Sequence, residues 1–155
     1  MKSSPAKQKT GSKIARNSAA RLLSVQAVYQ IHKNDQTAKD VVKEYLEHRL
    51  GVDDDGDQMV SPNAEHFSKV VQGVEEHIDQ LSDMVTKNRS KQAVVNEPLL
   101  NAVFLCGAYE LMMCSDIDYP VIISDYVHVT QAFFEESESK LVNAVLDSIR
   151  KTVRD

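Results

Sequence analysis

SPNAEHFSKVVQGVEEHIDQLSDMV (residues 61–85) places Phe67, Val70, Val71, Val74, Ile78, Leu81 and Val85 at the period of an α-helix. A 3.6-residue apolar period sustained for about five turns is a helix signal that no strand pattern imitates. Ser61 followed by Pro62 predicts an N-cap and first helical position, because Pro has no N–H to leave unpaired there. This stretch sets the expected class as all-α.

The same pattern extends toward the C-terminus. Pro98, preceded by Asn96 or Glu97, opens a segment with a broad apolar face of Leu99, Leu100, Val103, Phe104, Ala108, Leu111 and Met112. Gly107 in its middle costs about 1 kcal/mol relative to Ala, which predicts close packing against a neighbour. Pro120 opens a helix with Ile122, Tyr126, Val129 and Phe133 on one side. Ser137 and Glu138 open the last, with Leu141, Val142, Val145, Leu146, Ile149 and Val153 as its stripe.

Toward the N-terminus, helical patterning begins at about Asn17, with Ala20, Leu23, Ala27, Val28 and Ile31 on one face. Leu22, Val25 and Tyr29 form an adjoining stripe, so this helix is expected to be covered on more than one side. A second helix is expected at about 36–50, followed by the turn-rich acidic loop GVDDDGDQMVSP (51–62). No segment alternates as a strand and no internal repeat is visible. The expectation is six to seven helices, with residues 1–16 a flexible basic arm and residues 17–155 one domain.

At 155 residues the chain is long enough to bury a core without disulfides or metals. Its 42% apolar and 26% charged residues are those of a globular protein, and no apolar run reaches the roughly 18 residues of a membrane span. The basic start has no apolar core behind it, so it does not read as a signal peptide. Cys106 and Cys114, eight apart in one helix, would lie roughly 12 Å apart and read as buried free thiols. The expected compartment is the cytoplasm.

No catalytic constellation emerges. His32, His48, His66, His77 and His128 include no pair at metal-ligand spacing and read as surface residues. There is no phosphate loop and no nucleophile elbow. The run Asp53, Asp54, Asp55, Asp57 lacks the Gly and Glu that a calcium loop needs at its sixth and twelfth positions. The chain is expected to be no enzyme and to use neither metal nor cofactor.

What stands out is charge placement. The first 21 residues hold Lys2, Lys7, Lys9, Lys13, Arg16 and Arg21 without one acid, although the whole chain is at −5. Such an arm can neutralise nucleic-acid phosphates and release their counterions. Arginine and the phenol of Tyr29 suit stacking on unpaired bases, and the helix N-terminus itself favours anions. A solubilising tail accounts for the charge equally well.

Three stretches resemble one family. They are ARLLSVQAVYQ (20–30), GAYELMMCSDIDYPVIISDYV (107–127) and SKLVNAVLDSIRK (139–151). In order and spacing they resemble the NusB family of bacterial transcription antitermination factors, over most of the chain from about Arg21. The resemblance implies two perpendicular three-helix bundles and no catalysis. It implies pairing with the ribosomal protein NusE, binding of single-stranded boxA RNA in ribosomal RNA leaders, and action in the transcription elongation complex. Carried over by position, Arg21, Tyr29, Lys140 and Asn143 become expected RNA contacts, with Ser124 and Asp125 at the NusE surface; the charge of the basic arm adds Lys9, Lys13 and Arg16 to the expected RNA contacts. Gln26 equally suits helix packing, and Asn143 equally suits bracing Asp147.

The chain departs from that pattern in places. Asn17 and Ser18 thin the arginine cluster, Leu141 replaces an aromatic, Ala144 replaces a Gly, and Ser124-Asp125-Tyr126 stands where the family has NEA. A lost stacking platform costs about 1–3 kcal/mol per base. Two alternatives stay open: a protein-interaction module of the same fold, and a domain acting in trans with a ribosomal RNA methyltransferase. The stripe beside Tyr29 also leaves room for a homodimer.

Overall fold

The computed structural model describes residues 11–48, 60–89 and 97–154. Lys2, Lys7, Lys9, the acidic run at 53–57 and Asn96 lie outside them. Among the described residues there are seven helices and no strand: α1 Lys13–Asn34, α2 Ala38–His48, α3 Ala64–Glu76, α4 Ile78–Asn88, α5 Pro98–Met113, α6 Tyr119–Gln131 and α7 Glu136–Val153. None of them is long and apolar enough to cross a membrane.

The helix starts follow local chemistry, with some displacement from expectation. Pro98 does take the first turn of α5, behind Glu97, whose carboxylate accepts from Leu99 N–H. Pro120 likewise sits in the first turn of α6, behind Asp118. Helix α1 starts earlier than Asn17, because Ser12 accepts from Ala15 N–H and caps it. Helix α3 starts later than Pro62: Asn63 is the cap, accepting from His66 N–H. In α7 the cap is Glu135, in a reciprocal capping box with Glu138.

The expected five-turn helix is two helices. His77, at φ −114° and ψ 25°, leaves the helical region and separates α3 from α4. The break lets α3 pack on α1 and α2 while α4 turns to α5 and α7. Tyr109 of α5 fills the space beside it: a Cβ on Gly73 would lie 2.2 Å from its ring. Gly107 marks the close approach that its cost predicts, here against Leu146 of α7, 2.8 Å from where a Cβ would be.

Helices α1, α2 and α3 pack on one another, as do α5, α6 and α7, and the α1–α5 and α3–α5 contacts join the two groups. Helix α5 is the centre, buried at every position from Ala102 to Leu111. A helix enclosed on all sides needs no amphipathic stripe, which is why its sequence reads as a broad apolar run. Cys106 and Cys114 are buried free thiols. Burial raises the pKa of both, that of Cys114 to about 11.

Candidate nucleic-acid interface

The amino-terminal turns of α1 form the cationic end of the described chain. Its first turn contains no acid, Lys13 is exposed, and the helix N-terminus adds its own positive potential. Arg16 is half-buried and donates through Nε to the carbonyl of Ser61 (3.1 Å). Asn63, the α3 cap, donates through Nδ2 to Asn17 Oδ1 (2.8 Å) and through its N–H to the Arg16 carbonyl (3.0 Å). Two helix N-termini are thereby brought side by side. Between them and the α5–α6 loop runs a groove of about 420 Å³, lined by Lys13, Asn17, Asn63, Glu65, His66, Lys69, Asp116 and Ile117.

Arg21 is not part of that surface, contrary to the sequence expectation. Its side chain is 2% exposed and points inward to a fully buried carboxylate, Glu110 of α5. Nε and Nη2 donate to the two oxygens of Glu110 at 2.9 and 3.0 Å. Nη1 donates to Asp125 of α6 (2.6 Å), whose other oxygen accepts from the hydroxyl of Ser18 (2.9 Å). Tyr126 donates its phenol to Glu110 in a short hydrogen bond.

His66 also departs from expectation: it is buried, with Nε2 3.0 Å from Glu110 Oε1. That pair is at ionic distance but poorly aligned, so Nε2 has no well-formed hydrogen bond. Burial on its own would raise the pKa of Glu110. The neighbouring His66 and Arg21 outweigh it and hold the group down at about 2. Arg21 is raised despite burial, by the same carboxylates, and Tyr126 is raised by burial and by the charge of Glu110.

A family model for NusB matches residues 18–151, which is most of the chain. The chain belongs to the NusB family. It is 37% identical to the transcription antitermination protein NusB of Sinorhizobium medicae, over 88% of this chain and 86% of that one. It is 40% identical to the protein of the same name from Allorhizobium ampelinum, over 88% of this chain and 86% of that one. Two solved structures share the fold. NusB of T. maritima superposes with a TM-score of 0.70 at 21% identity, covering 93% of each chain. A NusB chain crystallised with NusE and dsRNA superposes at 0.73 and 19% identity, covering 91% of this chain and 99% of that one.

The other residues expected to act in this NusB-family chain are spread over several elements. Tyr29 is half-buried on α1, with Lys33 Nζ 5.9 Å from its ring centre. Lys140 and Asn143 are exposed on α7, Lys140 3.4 Å from Glu136. Asp147 is engaged by Arg150 (2.7 Å) and Lys151 (3.4 Å) and not braced by Asn143. Ser124 is exposed on α6, whereas Asp125 is 13% exposed and turned to α1. The structure therefore groups Lys13, Arg16 and Asn17 with α3, and leaves the α7 pair on a different helix pack.

Four residues that organise this region were missed: Glu110, His66, Asn63 and Arg154. Glu110 had a readable signal, being the one carboxylate within the apolar run of α5. A charge there requires a cation beside it.

Proposed function

We propose that this NusB-family protein acts in transcription antitermination by binding single-stranded boxA-type RNA of ribosomal RNA leaders together with NusE, within the elongation complex. The observation that carries this reading is the acid-free cationic start of α1 on an otherwise acidic chain of this family. Lys13 and Arg16, joined by Lys9 beyond the described residues, supply phosphate contacts. Tyr29, Lys140 and Asn143 supply further contacts, and Ser124 with the edge of Asp125 meets NusE. The related NusB crystallised with NusE and dsRNA supports both partners in kind. Single-stranded RNA is the form proposed because sequence-specific RNA readout works chiefly on unpaired bases.

The test is fluorescence anisotropy with a boxA-like RNA and a scrambled control, each with and without NusE. Tighter boxA binding in the presence of NusE, weakened by removing residues 1–10, supports the reading. That truncation stops before Ser12 and so spares the α1 cap. Equal weak binding to both RNAs would overturn it and favour a protein-interaction module, the reading that Leu141 and Ser124-Asp125-Tyr126 motivate.

A further inference from the structure

Resting on the RNA reading above, we infer that Arg21 is a positioning residue: with Glu110, Asp125 and Ser18 it fixes the amino-terminal turns of α1 that present Lys13 and Arg16 to RNA.

Hydrophobic burial does little to hold those turns. From Lys13 to Arg21 the apolar side chains are Ile14, 75% exposed, and three alanines, of which only Ala20 is fully buried. The first large aliphatic of α1 to be fully buried is Val25. Hydrophobic burial scales with apolar area, so it anchors the middle of α1 far more firmly than its start.

Polar struts replace it, two reaching the start of α3 and two reaching α5 and α6. Arg16 goes to the Ser61 carbonyl before α3, Asn17 to the α3 cap, Ser18 to Asp125 on α6, and Arg21 to both α5 and α6. Arg21 is the deepest of these and the only one of them with a fork on a fully buried acid. A planar guanidinium with two parallel bonds fixes direction as well as distance. Its charge is already met by two carboxylates, so it has no unmatched charge to offer a phosphate. The cationic end of α1 is thus aimed in part by Arg21 and Ser18, which do not touch the RNA.

The experiment separates aiming from contact by measuring affinity and its salt dependence together. Arg21→Lys keeps the charge and loses the fork; Ser18→Ala is charge-neutral and mild enough to leave the fold intact. Both are expected to weaken RNA binding about two- to tenfold, the cost of ordering side chains no longer pre-set. The log–log salt slope should stay at the wild-type value in both. Lys13→Ala, by contrast, should reduce the slope by about 0.7, the loss of one single-strand phosphate contact. Amide exchange at residues 13–20 of the RNA-free variants should quicken while exchange in α5 does not.

Wild-type affinity in both Arg21→Lys and Ser18→Ala would overturn the role. So would a slope in Arg21→Met lower by that of one phosphate contact, which would make Arg21 a direct ligand. A wild-type chain that binds no RNA, with or without NusE, would instead overturn the functional reading and this role with it.

Discussion

Arg21 and Glu110 meet in a two-pronged ion pair, at 2.9 and 3.0 Å, with neither side chain more than 2% exposed. The pair links the first helix to the central one, and its carboxylate is held at a pKa of about 2 instead of 4.5. A carboxylate depressed in the folded state adds stability above its unfolded pKa and loses it as pH falls toward the folded value. Stability is therefore expected to drop between about pH 4.5 and 2, by about 3 kcal/mol from this group. Urea unfolding across that range checks it. Glu110→Gln should remove that part of the pH dependence and lower stability at neutral pH by about 3–5 kcal/mol, leaving Arg21 with half of its cage.

A sequence reading finds helices by period and misses partners. The starts at Pro98 and Pro120 and the contact at Gly107 were legible because each depends on a local property of the residue. The break at His77 was not: the apolar period runs straight through it, and the Tyr109 ring that packs beside it, 6.2 Å from the His77 ring, comes from another helix. Arg21 was misplaced for a similar reason. It lies four and seven residues before Val25 and Val28, on the buried stripe, but its charge outweighed its position. Its partners are 89 and 104 residues away in the chain, and nothing local encodes such a pairing.

Gly73 and Gly107 should respond unequally to alanine. At Gly73 the added Cβ meets a packed aromatic ring at 2.2 Å, and at Gly107 the flexible end of Leu146 at 2.8 Å. Gly73→Ala is expected to cost about 1–3 kcal/mol by overpacking, and more than Gly107→Ala. At Gly107 the gain in helix propensity offsets part of the clash. Thermal melts of the two variants, with Gly73→Ala/Tyr109→Ala as a relieving double change, give the comparison.

Arg154 closes the C-terminal end of α5. Its guanidinium donates to the carbonyls of Leu111 (2.8 Å), Ile117 (2.6 Å), Glu110 (3.2 Å) and Cys114 (2.6 Å). Helix C-termini leave carbonyls without intrahelical donors, and a cation there also meets the negative end of the dipole. Arg154→Ala should lower stability by about 2–3 kcal/mol. Arg154→Lys should recover little of it, because an ammonium cannot reproduce the fork. Faster amide exchange around residues 110–118 is the local signature to look for.

Lys140 separates a stability role from a binding role. It and Glu136 are 76% and 80% exposed, so the pair contributes little to folding, typically under 1 kcal/mol. Lys140→Ala should leave the melting temperature nearly unchanged. Its effect on RNA should be a salt slope shallower by about 0.7. A wild-type slope would remove Lys140 from the interface.

In the function proposed, the cationic start of this NusB-family chain grips RNA through phosphates. The most direct measurement is the affinity of the whole chain for a boxA-like single strand across a series of salt concentrations. About four phosphate contacts predict a log–log slope near −3. A slope near zero would contradict the account and leave the basic arm as charge without a nucleic-acid partner.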